Sequence, residues 1–338
     1  MLSSAERALQ VPLSGLTTTV PREYVHRAAV AEVFLTSWHQ TGPDAFTVTA
    51  QWPRSHSFYG ARRATYDPLM LCETIRQAPA LLMHAAYRIP SGYQMIWTHF
   101  RLTVNPRGLR VERSPAELRM HVTCSEMRRI RDLPAVVTMD FEVMRGAELL
   151  AVASTRFSCH SPAVYRRMRG ERGDTAKVFA AAPAPAPPVP PSTVGRLVSE
   201  DVVLSHPTAA GPGQWQLRLD TSHPVLFDHS VDHVPGMVLL EAIRQVVHVL
   251  HPGDDMCMLT GMDVAFHRYV EFDSPCAVTA EPAQPGCVDP QGRIRIQGVQ
   301  GEAIAFTATA EVSSALPEAP VEEPAVCAST APVPDRTA

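Results

Sequence analysis

Two stretches of the chain are apolar on nearly every helical face. Leu69 to Leu82 and Met237 to Leu250 are interrupted by little more than one Glu, one Arg and one Gln each. A surface helix needs a polar face, whereas a helix that is hydrophobic all round is buried. The two stretches also share their text. Asp-Pro-Leu-Met-Leu-Cys-Glu-Thr-Ile-Arg-Gln ends at Gln77, and Val-Pro-Gly-Met-Val-Leu-Leu-Glu-Ala-Ile-Arg-Gln ends at Gln245. The pattern predicts an internal repeat with one buried helix per copy. Asp67 as N-cap and Pro68 at the first helical position mark the start of the first helix. Pro79 predicts a kink in it, because an internal proline removes a backbone hydrogen bond and crowds the preceding turn.

Period-two alternation predicts strands around each helix. In the first half these are Phe46 to Trp52, Tyr93 to Val104, Glu117 to Ser125, Ala135 to Met144 and Glu148 to Ser158. Val25 to Trp38 reads as a strand or as a short helix. The second half repeats the order with Gln214 to Thr221, then Thr260 to Val270, Cys276 to Glu281, Arg293 to Val299 and Ala303 to Val312. One helix followed by a run of strands is an α+β arrangement. The expected layout is a loose arm over 1–19, a first domain over 20–165, a basic flank and Ala/Pro-rich linker over 166–195, a second domain over 196–314 and a disordered tail over 315–338. The linker is expected to be an extended spacer without a core. The basic run from Tyr165 to Arg172 is either a solvated flank or a dock for an acidic partner.

Charges on buried helices must be paired or employed, which makes the polar positions the candidate chemistry. Glu73 and Arg76, like Glu241 and Arg244, lie three residues apart and so share a helix face, followed by Gln77 and Gln245. Burial predicts that Glu73 and Glu241 have raised pKa values and act as general bases. The guanidinium groups of Arg76 and Arg244 suit a phosphate-bearing substrate. A loop histidine precedes each helix, His56 and His229, each followed by Ser, with the first loop five residues longer. Gly236 would let an oxyanion approach backbone N–H groups at the second helix start, which Pro68 does not offer, so the copies are not equivalent. Asp228, His229, Asp232 and His233 could ligate a metal, but neither a Cys partner nor a His-Glu-x-x-His motif accompanies them. No metal or other cofactor is expected.

Composition bounds the rest. With 338 residues, 45% hydrophobic and 19% charged, the chain can build two ordinary cores. A net charge of -4 with both signs dispersed argues against a nucleic-acid partner. Seven cysteines without a Cys-x-x-Cys pair read as reduced thiols. Together with the lack of a signal-peptide pattern or a membrane-length apolar run, they predict a cytoplasmic protein.

A loop histidine followed by Pro-Gly-Met-Val-Leu-Leu-Glu-Ala resembles the hotdog dehydratases that act on hydroxyacyl carrier proteins, except that Ala-Ile-Arg-Gln stands where those carry Ala-x-Ala-Gln. Taken with Val20-Pro-Arg-Glu-Tyr-Val-His-Arg-Ala-Ala-Val-Ala-Glu-Val, Thr49-Ala-Gln-Trp-Pro-Arg-Ser-His-Ser-Phe and the two Glu-x-Ile-Arg-Gln runs, the chain resembles the A-factor biosynthesis family from about residue 20 to 312. These are the γ-butyrolactone signal synthases of streptomycetes. The resemblance implies a tandem double hotdog, each unit a curled antiparallel sheet wrapped around one long helix. It also implies transfer of a β-ketoacyl group from an acyl carrier protein to dihydroxyacetone phosphate, with His56 and His229 assisting proton transfer or orienting the thioester. Paired as in a hotdog dimer, one cleft would join His56 to Glu241 and Arg244, and the other His229 to Glu73 and Arg76. The competing readings are a dehydratase or thioesterase on carrier-bound acyl chains, and a non-catalytic acyl-binding regulator.

Overall fold

The computed structural model describes residues 17–60, 64–206, 213–252, 257–282 and 292–313. The arm before residue 17 and the tail after 313 lie outside the described residues. The first half contributes β1 (Leu35–Gly42), β2 (Ala45–Trp52), helix α1 (Pro68–Ala85), β3 (Gln94–Val104), β4 (Ala116–Ile130), β5 (Leu133–Arg145) and β6 (Glu148–His160). Two short helices follow, α2 (Pro162–Arg169) and α3 (Thr175–Ala180). The second half contributes β7 (Leu204–Ser205), β8 (Gln214–Leu217), α4 (Gly236–Leu250), β9 (Met258–Phe266), β10 (Cys276–Pro282), β11 (Ile294–Gln300) and β12 (Ala303–Ser313).

The twelve strands form one antiparallel sheet in the order β1-β2-β4-β5-β6-β3-β9-β12-β11-β10-β8-β7. The order is a palindrome about the β3–β9 seam, where Phe100 faces Val264 and Leu102 faces Met262. Each half is thus the same six-stranded unit wrapped around its own long helix, and α1 and α4 touch each other. This is the double hotdog. Alternation supplies the inner faces: along β4, Leu118, Met120, Val122 and Cys124 are buried and the residues between them exposed. Because each sheet curls round its helix, almost every position of α1 meets a strand, a loop or the other helix, and even Glu73 and Gln77 are fully buried.

Asp67 caps α1 as its position predicts, its Oδ1 accepting from the Leu69 N–H at 2.9 Å, and Pro68 opens the helix. Pro79 lies inside α1 without ending it. Val25 to Trp38 resolves into 3-10 turns at Arg22–Val25 and Val30–Glu32 followed by β1. The basic run forms α2, whose Tyr165 and Arg169 turn inward. Arg169 is nearly fully buried and bonds Asp232 at 2.9 Å and Glu271 at 2.7 Å, tying the connection to the second half. The Ala/Pro-rich stretch also packs: Val189 is buried, Pro188 bridges to Ser205, and the Ala186 carbonyl accepts from Arg218. Among the described residues no helix is long and apolar enough to cross a membrane.

Candidate active site

The glutamate of each long helix is held by two arginines and a glutamine. Glu73 accepts from Arg76 Nε and Nη2, both at 2.8 Å, from Arg27 Nε at 2.9 Å and from Gln77 Nε2 at 2.7 Å. Glu241 accepts from Arg244 Nε at 2.9 Å, Arg196 Nη2 at 2.6 Å and Gln245 Nε2 at 2.6 Å. The glutamines also pin the chain just before β1 and β7: Gln77 bonds the Glu32 carbonyl and the Phe34 N–H, and Gln245 the Asp201 carbonyl and the Val203 N–H. Gln77 and Gln245 are thus fully buried, bonded to the glutamates and to the backbone.

The expectation of raised carboxylates is overturned. Burial alone pushes Glu73 up, but Arg27 and Arg76 outweigh it and hold the carboxyl at about 2. Arg196 and Arg244 do the same to Glu241, also to about 2. Both glutamates are thus ionised and shielded, a poor state for a general base. Arg27 and Arg196 were missed because each arrives from a 3-10 turn far from its helix in sequence. Their signal is a second repeat, Pro-x-x-x-Val-x-Arg, at Pro21 to Arg27 and Pro190 to Arg196.

The histidine pairing is also corrected. His56 Nδ1 accepts from the N–H groups of Phe58 and Tyr59, and His223 Nδ1 accepts identically from Val225 and Leu226. Nε2 of each faces an acid of its own half, Glu32 at 3.3 Å and Asp201 at 3.2 Å. His223, not His229, is therefore the counterpart of His56, and the expected difference in loop length shrinks from five residues to one. His56 precedes Glu73 by 17 residues and His223 precedes Glu241 by 18. His56 shapes its loop instead of meeting Glu241. What crosses between the halves is the residue two further on: the Phe58 carbonyl accepts from Arg196 at 2.6 Å and the Val225 carbonyl from Arg27 at 3.2 Å.

The two clusters differ in access. Arg244 is buried, bonded to Glu241 and the Val194 carbonyl and 3.7 Å from Asp67, which also pairs with Arg196 at 3.4 Å. The Arg244 side chain is only 5% exposed. Arg76 makes the equivalent bonds to Glu73 and to the Val25 carbonyl, yet its side chain is 21% exposed. It borders a cavity of about 840 Å³ whose wall also includes His26, Arg27, Asp228, His229, Gly236 and Met237. His229 and Arg76 both border this cavity, whereas Glu73 is not part of its wall. Asp228 Oδ1 lies 2.5 Å from His229 Nδ1 and 3.3 Å from Arg27, and its carboxyl is held at about 2, burial being outweighed by the His229 bond and Arg27. Asp232 turns away to Arg169, Tyr165 and His233, so the four Asp and His side chains considered for a metal divide between two networks.

Met95, Trp97, Phe157, Phe227 and Phe266 give the cavity an apolar side. At its floor α4 begins with Pro235 as N-cap and no capping side chain, so the first-turn N–H groups of Gly236 and Met237 lack intrahelical acceptors. Gly236 is required there for packing, because a Cβ would stand 2.8 Å from the Trp97 ring. The cavity thus joins an apolar channel, the arginines Arg27, Arg76, Arg172 and Arg268, five histidines (His26, His160, His229, His233 and His267) and a helix N-terminus.

The model of the A-factor biosynthesis hotdog domain matches residues 9–161 and again 179–315. A 2-oxo-3-(phosphooxy)propyl 3-oxoalkanoate synthase of Streptomyces virginiae is 43% identical over 293 residues, 86% of this chain and 97% of that protein. Proteins of the same description from Streptomyces coelicolor and Streptomyces griseus are 38% and 40% identical, over 91% and 84% of this chain and 96% and 93% of theirs. A crystal structure described as an oleoyl thioesterase from Lactobacillus plantarum superposes with a TM-score of 0.52 at 11% identity, covering 82% of this chain and 99% of that one, which speaks to the fold alone. Matched by the family model in both halves and by full-length relatives, the chain belongs to the A-factor biosynthesis hotdog family.

Proposed function

We infer that this protein is an acyltransferase that joins a 3-oxoacyl group to dihydroxyacetone phosphate, giving a 2-oxo-3-(phosphooxy)propyl 3-oxoalkanoate, the ester from which a γ-butyrolactone-type signal is built. The acyl donor is a thioester on an acyl carrier protein. The observation that carries this reading is one cavity with an apolar wall for the acyl chain and the Arg76 guanidinium for a phosphate. A dehydratase or thioesterase substrate brings no phosphate for the exposed edge of Arg76 to bind. The relatives' description as synthases of this ester supports the same choice.

The chemistry divides among the cavity groups. Arg76, held rigid by Glu73, orients the phosphate so that the acceptor hydroxyl meets the thioester carbonyl. The uncapped N–H groups of Gly236 and Met237 serve as donors to the negative charge that develops on the carbonyl oxygen. With Glu73 ionised and not part of the cavity wall, the hydroxyl proton passes to an imidazole of the cavity. The oxygen attacks, the C–S bond breaks and the thiol departs.

The test is to incubate the purified protein with 3-oxoacyl carrier protein and dihydroxyacetone phosphate and to follow both products by mass spectrometry. One phosphorylated ester should form for each thiol released. Thiol release without ester would replace this reading with a thioesterase.

A further inference from the structure

His26 has a backbone conformation that its counterpart reaches without strain. In the repeated turn, Val25-His26-Arg27 matches Val194-Gly195-Arg196, and both middle residues lie in the left-handed region, His26 at φ 54 and Gly195 at φ 66. Glycine occupies that region freely, whereas a residue with a Cβ is disfavoured there by roughly 1 kcal/mol. The closed half carries the unstrained residue, and the half that opens on the cavity carries the strained one with an imidazole on the cavity wall. Strain of this kind concentrates at functional sites.

The imidazole is not alone. His26 Nε2 lies 2.8 Å from His84 Nε2, and His84 Nδ1 lies 2.8 Å from the Ile89 carbonyl oxygen. A carbonyl only accepts, so His84 carries its proton on Nδ1 and, when neutral, offers a lone pair at Nε2. His26 must then donate from Nε2, which leaves its Nδ1 as the unprotonated atom. We propose that His26 and His84 form a two-imidazole proton relay for the acyl transfer inferred above, with His26 handing the acceptor hydroxyl's proton on to His84, the base that holds it.

In the forward step the hydroxyl proton moves to His26 Nδ1 as the new C–O bond forms, and the Nε2 proton of His26 moves to His84 Nε2. The positive charge then rests on His84 in the last turn of α1, where the terminal carbonyls favour it. When the tetrahedral intermediate collapses, the proton returns along the same path to the departing sulfur. The relay solves a charge problem. The groups facing His26 are Arg76 and His84 on α1 and His229 on the loop before α4, with Tyr24 stacked on His84. Burial first, then Arg76, His84 and His229, hold His26 down to about 3, so it is neutral at physiological pH and does not retain a proton beside Arg76.

Three measurements test the relay. His26→Gly installs the residue of the other half, so the melting temperature should hold or rise and dihydroxyacetone phosphate alone should bind within about threefold, while transfer falls by about 10²- to 10⁴-fold. His84→Gln can still accept a hydrogen bond but not a proton. It should slow transfer and change the shape of the pH–rate profile, which a merely structural role would leave alone. Nitrogen-15 spectra of the imidazoles at neutral pH should place the proton of His26 on Nε2 and that of His84 on Nδ1. The relay is overturned if His26→Gly transfers within about threefold of wild type, if His84→Gln keeps the wild-type profile, or if the tautomers are reversed. A wild-type protein that makes no ester at all would remove the acyltransferase reading and the relay with it, whereas an active wild type beside an active His26→Gly would remove the relay only.

Discussion

Arg76 and Arg244 occupy the same place in two copies of one motif and make the same forked bonds to a buried glutamate, yet one borders a cavity and the other is sealed. The loops from the opposite half decide this. Asp67, at the very start of α1, reaches both Arg196 and Arg244, and the Phe58 ring covers Arg196 at 4.0 Å while packing on His223 at 4.8 Å. On the other side Asp228 pairs with Arg27 and not with Arg76, and the smaller Val225 stands where Phe58 does. The duplication thus gives one cluster buried in the core and one that borders the cavity, where we propose substrate binds.

Acid should break both clusters at once, the largest effect. Glu73 and Glu241 titrate near 2 in the fold against an ordinary 4.5, so the folded state binds fewer protons than the unfolded state. Their contribution is complete above about pH 4.5 and is lost as pH falls from there towards 2. Circular dichroism across this range should show cooperative unfolding. A protein that stays folded at pH 2 would deny the clusters that role.

Arg244→Ala removes one partner of a sealed pair and leaves Glu241 short of a counter-charge, a loss of about 3–5 kcal/mol by urea denaturation. A stable variant with impaired acceptor binding would instead place the phosphate in the second cluster. Arg76→Ala should have the opposite profile. Arg27 remains on Glu73 as Arg196 remains on Glu241, so it is partial exposure that moderates its effect on folding, while KM for dihydroxyacetone phosphate rises about 10- to 100-fold, the worth of hydrogen bonds to a charged group. Arg76→Lys should restore little, because the fork is lost. Equal shifts in stability for the two alanine variants would erase the distinction between the clusters. The smallest effect belongs to Gly195→Ala, expected to lower stability by about 1 kcal/mol without touching transfer, since the sealed half only needs its left-handed turn. An unaltered melting curve would show that the turn relaxes.

Much of this was legible before folding. Glu73, Arg76 and Gln77 and their repeat announced two buried helices, and the alternation in β2 to β6 announced the sheet. The sequence misdirected at the histidines, because the His-Ser dipeptide at His229 looks more like His56 than the true counterpart His223, which is followed by Pro. Nor did it reveal the state of the carboxylates. That depends on Arg27 and Arg196, 46 and 45 residues away along the chain.

What the sequence determined by itself is whatever rests on local pattern: helix and strand periodicity, the Asp67 cap, the repeat and its polar triads. Tertiary structure alone decided which triad faces a cavity, which histidines share a proton path and whether a buried glutamate is a base or a counter-ion. The physical reason is that burial and charge pairing are set by groups brought from distant segments, Arg27 against Glu73, Asp67 against Arg244 and His26 against His84, and the same short motif has opposite fates under different neighbours.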